Sequence, residues 1–157
     1  MKSIVIASYP DISIFNLSKL GINIKSIDTN DYIFNINNIL DNVKSLAGTC
    51  DIILVPVTKK IVKCLNRENI KCIVLYPNKD IKEVIIEEMK NDKIDQDYIR
   101  EFNSTFNYMI KNIDRSNFYY KFSMGSSDNL DDTIRLLLSK RNTLGIDKSD
   151  FEIELIA

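Results

Sequence analysis

Short, nearly continuous apolar runs recur along this chain, and stretches long enough for a helix separate them. That alternation limits the fold more than any other feature. Residues 3–8 form one such run, residues 51–55 another after Asp51, and residues 72–76 a third. Strands buried on both faces read this way, whereas strands with one wet face alternate. Residues 22–27 do alternate and read as a second strand, and the aromatic-rich residues 118–122 read as a fifth. Between them, Ile36, Ile39, Leu40, Val43 and Leu46 recur at helical spacing ahead of Gly48. Ile61, Val62 and Leu65 share one face of a helix over residues 58–65, and residues 80–90, 97–113 and 130–138 read as further helices. Ile12, Phe15, Leu17 and Leu20 suit a short helix closed by Gly21. The tail alternates through Phe151, Ile153 and Leu155 as an edge strand would. The expected fold is α/β, a three-layer αβα domain over residues 1–142 with a mainly parallel five-stranded sheet, followed by a tail over residues 143–157. At 157 residues the chain has the length of one ordinary domain.

Composition removes several function classes. The chain has no histidine, so imidazole acid–base chemistry, histidine triads and histidine metal sites are excluded. Its three cysteines, Cys50, Cys64 and Cys72, form no CxxC pair and are expected as buried free thiols. A formal net charge of −1 gives no broad electrostatic case for nucleic acid or an anionic membrane. The apolar start is too short for a signal peptide, and no stretch approaches the roughly 20 apolar residues of a membrane span. A cytoplasmic protein is expected.

In parallel sheets, ligand sites form beyond the carboxyl ends of the strands. Here those ends are residues 8–15, 28–34, 55–59 and 76–79. The first reads Ser8-Tyr9-Pro10-Asp11-Ile12-Ser13-Ile14-Phe15, the second contains Asp28-Thr29-Asn30 and Phe34, and the fourth ends in Tyr76-Pro77. Over residues 3–135 this order resembles the P-loop nucleoside monophosphate kinases, most of all the small nucleotide-kinase-like proteins often encoded by phages. The abundance of Ile, Asn and Lys, as in AT-rich genomes, suits such an origin. The resemblance implies a P-loop kinase-like fold, with the first turn standing where the family has Ser-Phe-Pro-Gly-x-Gly-Lys-Ser.

The chemical residues of that loop are replaced. A P-loop needs glycines to curl its N–H groups around phosphates, a lysine for the terminal phosphates and a hydroxyl for Mg²⁺. Set against the family, the second glycine position is Ser13, the lysine position Ile14 and the hydroxyl position Phe15, while Asp11 adds a negative charge. One like charge about 4 Å from a phosphate costs about 4 kcal/mol at an effective dielectric near 20. The family's arginine-bearing lid corresponds to residues 87–93, where Glu88 and Asp92 stand and no arginine lies between Arg67 and Arg100. Phosphoryl transfer depends on such cations.

The expected function is therefore that of a catalytically inactive kinase-like protein without catalytic residues, cofactor or metal. It would act through a protein partner, as a phage-encoded inhibitor of a nucleic-acid-handling host defence enzyme would. Glu87, Glu88 and Asp92 could imitate phosphates toward a basic partner, and Tyr119 and Tyr120 could serve as aromatic anchors. Asp28 and Asp31 read as turn and cap residues. Lys59, Lys60 and Lys63 form a basic cluster that reads as a solvated helix face, with binding of an acidic partner as its sharper alternative. The alternative function is a nucleotide or nucleoside monophosphate kinase with an unusual loop, its cation supplied by Lys59 or Lys19.

Overall fold

β1 (Ile4–Ser8) lies at the centre of a five-stranded sheet, flanked by β3 (Ile52–Val55) and β4 (Cys72–Pro77), with β2 (Ile24–Ser26) and β5 (Tyr120–Met124) at the edges. The computed structural model describes residues 1–12, 20–27, 36–124 and 130–152. The strand order is β2-β3-β1-β4-β5 and every ladder is parallel, with Ile4 opposite Ile52, Val5 opposite Cys72 and Ile73 opposite Tyr120. Among the described residues the antiparallel pairing is confined to an isolated bridge between Ser3 and Ile146. The expected α/β class and layered architecture are therefore present, and the sheet is wholly parallel.

Because β1, β3 and β4 are apolar at successive positions, each feeds both faces. Ile4, Ile6, Ile52, Leu54, Ile73 and Leu75 point into one core, and Val5, Ala7, Ile53, Val55, Cys72 and Val74 into the other. The second core is covered by α1 (Ile36–Leu46) and α2 (Lys59–Arg67), which insert Ile39, Val43, Ile61, Val62 and Leu65. Thr58 caps α2 by accepting a 3.2 Å hydrogen bond from the Ile61 N–H. The first core is covered by α3 (Lys82–Asn91), α4 (Gln96–Arg115) and α5 (Leu130–Ser139). Long α4 serves both: Phe102, Phe106 and Ile110 join the first core, and Ile113 at its far end joins the second. A short α6 (Arg141–Leu144) follows α5.

A buried polar joint ties the start of β1 to the rest of the domain. Ser3 is fully buried. Its hydroxyl donates to the Cys50 carbonyl at 2.6 Å and accepts from the Gly48 N–H at 2.9 Å, and its backbone exchanges hydrogen bonds of 2.7 and 2.8 Å with Ile146. Gly48 ends the turn after α1 with a φ of 79°, where a side chain is strained. Replacing Ser3 by alanine leaves the part-buried Gly48 N–H and the buried Cys50 carbonyl short of a partner. We expect a loss of about 2–3 kcal/mol in unfolding free energy, measured by urea denaturation.

Two expectations are corrected. The fifth strand begins at Tyr120, because Phe118 packs against the second core from the loop ahead of it. Phe151 is not in a strand: Lys148–Phe151 form a 3-10 helix, started by a capping box in which Asp147 and Asp150 each hold the other's end. Residues 153–157 lie outside the described residues, as does most of the short helix expected after β1, including Phe15 and Leu17.

Candidate functional site

The strand order sets where a ligand crevice belongs. The chain leaves β1 toward β2 and leaves β4 toward β5, so the connections diverge between the carboxyl ends of β1 and β4. Ser8, half-buried at the end of β1, donates its hydroxyl to the Pro10 carbonyl. The Tyr9 N–H donates to the Leu75 carbonyl at 2.9 Å, which keeps the turn bound to β4. On the β4 side, the Asn78 N–H donates to the Met124 carbonyl at 2.8 Å and its side chain accepts from the Asp80 N–H at 3.1 Å.

α4 fills the space beside this turn. The Tyr9 ring lies 5.4 Å from that of Phe102, and Phe102 meets Phe106 edge-on at 5.5 Å. The Tyr9 hydroxyl is 3.4 Å from the Thr105 hydroxyl, and the Tyr98 phenol is hydrogen-bonded to the backbone of Asp11. Lys82 stands 5.5 Å above the Phe106 ring. Burial raises the pKa of Tyr9 and of Tyr98 above the usual tyrosine value, so both phenols stay neutral at physiological pH. This end of the sheet is thus lined by packed aromatic groups. Asp11 is exposed. Ser13, Ile14 and Phe15 of the loop, and Asp28 and Asp31 after β2, lie outside the described residues.

The proposed contact residues fall on two separate elements. Glu87 and Glu88 lie in the last turns of α3 and Asp92 is its C-terminal cap. Glu87 is exposed and pairs with Lys90 at 3.6 Å, Glu88 is half-buried, and Asp92 is exposed. An exposed pair of that kind contributes little. Tyr119 is 83% exposed, the most open large hydrophobic side chain among the described residues, and its ring lies 5.8 Å from that of half-buried Tyr120. Tyr119 stands in the loop ahead of β5, and Tyr120 is the first residue of that strand.

A cavity of about 390 Å³ lies elsewhere, between the segment after β3 and the last turns of α4, with Lys59 and Arg115 among its lining. Lys59 belongs to the basic cluster seen in the sequence. Arg115 carried no signal of its own, because the helix end that brings it close is distant in the chain. Among the described residues, no group of three or more Cys, Asp or Glu side chains is arranged to hold a metal ion. Cys50 and Cys72 are buried as expected, while Cys64 is only half-buried. Among the described residues, no helix is long and apolar enough to cross a membrane.

No family model and no curated protein matches this chain. Among solved structures, a crystal structure of an uncharacterized protein from Eubacterium ventriosum is similar over 90% of this chain and 99% of its own, with 10% identity and a TM-score of 0.45. A likeness at that score carries no inference about activity.

Proposed function

We propose that this protein is a catalytically silent, kinase-like α/β domain that acts by binding another protein. One observation supports this reading best: the Tyr9 turn at the β1–β4 crevice is packed against Phe102 of α4. A phosphate chain seated there would have to part that contact and approach the exposed Asp11 carboxylate. Parting half-buried Tyr9 from buried Phe102 costs about 0.5–1.5 kcal/mol for the ring pair, plus the apolar area exposed, and a nucleotide has to recover that cost before it binds. The lysine that a P-loop kinase would use is Ile14 in this sequence.

The partner we propose is a basic, nucleic-acid-handling enzyme of a host cell, blocked by a phage-borne protein of this type. The carboxylates of Glu87, Glu88 and Asp92 offer a phosphate-like charge pattern. Exposed Tyr119, beside Tyr120, offers the aromatic anchor that dominates many interfaces. Capture from the native host or its phage-infected culture tests the reading. Charge reversal of Glu87, Glu88 and Asp92 to lysine, or Tyr119→Ala with Tyr120→Ala, should weaken capture about ten-fold or more, since hot-spot losses reach about 2 kcal/mol. Unchanged capture by both variants would discard these contact surfaces.

A further inference from the structure

The cavity beside Lys59 has the character of a small-molecule site. Its volume of about 390 Å³ falls in the range of roughly 300–1,000 Å³ common for such sites. Val57, Met109 and Phe118 supply apolar wall, and Lys59, Arg115 and Asn112 supply polar groups. Lys59 is the first residue of α2 and Arg115 the last of α4. Both are exposed, and among the described residues neither forms an ion pair. Two cations facing one hollow without a carboxylate between them make a clamp for an anion.

The end of α4 would ordinarily oppose an anion, because its last carbonyls carry partial negative charge. Here two of them, those of Ile113 and Asp114, have a cation beside them. Lys121 places its ammonium 3.4, 3.2 and 3.3 Å from the carbonyl oxygens of Ile113, Asp114 and Ser116. The Ser116 hydroxyl also donates to the Ile113 carbonyl at 2.6 Å. Asp114, the carboxylate next to Arg115 in sequence, lies near the Tyr76 phenol and helps to raise its pKa, after burial. Lys59 and Arg115 are the charged side chains among the cavity's lining.

We propose that this cavity binds a small amphipathic organic anion, with a carboxylate or phosphate-monoester head between Lys59 and Arg115 and an apolar body against Val57, Met109 and Phe118. Asn112 donates a further hydrogen bond to the head. This site does not depend on the partner-binding reading, since it uses none of the residues assigned there.

Calorimetric titration of the full chain with octanoate, octyl phosphate and octanol tests it, alongside Lys59→Gln and Arg115→Gln. Both substitutions are at exposed positions, and unchanged melting temperatures would verify intact folding. Saturable binding of at least one anion is expected, with octanol about ten-fold weaker or worse. Each variant should lose about ten-fold in anion affinity, the scale of one charge-assisted hydrogen bond, with no change toward octanol. Tighter binding of octyl phosphate would assign a phosphate head, and tighter binding of octanoate a carboxylate head. The proposal is overturned if neither anion saturates, if octanol binds as tightly as the anions, or if both variants keep wild-type affinity.

Discussion

Phe106→Ala lowers the unfolding free energy by about 3–5 kcal/mol, the usual cost of emptying a buried phenylalanine site. Phe106 is 1% exposed and sits in the middle of the buried stripe of α4. It meets Phe102 edge-on at 5.5 Å, and Phe102 in turn meets Tyr9 at 5.4 Å. Removing the ring therefore takes away buried area, an aromatic pair and the support of the Tyr9 turn. For a chain of this length, about 2–4 °C of melting temperature accompanies each kcal/mol, so thermal unfolding should shift by roughly 6–20 °C. Tyr108→Ala on the same helix, where the side chain is 68% exposed, should stay within about 0.5 kcal/mol of wild type. Equal losses in the two variants, measured by urea denaturation, would mean that the stripe does not anchor α4.

The second large effect is alkaline. Burial pushes the Cys72 thiol from 9.0 up to about 12. Above pH 9 the unfolded thiol releases its proton while the folded one keeps it, so the unfolded state binds fewer protons. Stability from this group is complete below pH 9 and falls as pH rises toward about 12. The slope is about 1.4 kcal/mol per pH unit, reaching on the order of 4 kcal/mol. Tyr9, Tyr76 and Tyr98 are raised by burial in the same direction, which adds to the decline above pH 10. Urea midpoints at pH 8, 9, 10 and 11 should fall progressively after the second. Cys72→Ala should flatten the fall by about one proton's worth, at the cost of a small constant loss from the missing sulfur. A flat wild-type profile would contradict the burial of these groups.

Much of the layered fold was legible because burial on two faces leaves a plain signature. The apolar runs behind β1, β3 and β4 lie within a residue or two of the strands, and the spacing from Ile36 to Leu46 marks α1 over its whole length. Boundaries failed where a side chain is apolar for a different reason. Phe118 looks like strand sequence, yet it packs from the loop ahead of β5. Phe151 alternates with its neighbours, yet the reciprocal Asp147 and Asp150 caps bend the chain there. Tertiary juxtaposition left no local trace at all. Nothing near Tyr9 announces Phe102 or Thr105, and nothing near Lys59 announces Arg115, because each partner arrives on a helix from far along the chain.

The candidate site was legible in an uneven way. That the first turn carries Asp11, Ser13, Ile14 and Phe15, with neither glycine nor lysine, could be read directly. What occupies the space beside that turn needed the packing of α4. The exposure of Tyr119 was not legible from strand alternation, because Tyr119 stands in the loop ahead of β5.

Thermal unfolding of the full chain with ATP and Mg²⁺, and with each nucleoside monophosphate, tests most directly whether the β1–β4 crevice serves a nucleotide. The account predicts a melting temperature unchanged by any of them. A ligand at 100 times its dissociation constant adds about 2.7 kcal/mol, so a rise of roughly 5–10 °C with any of them would contradict it.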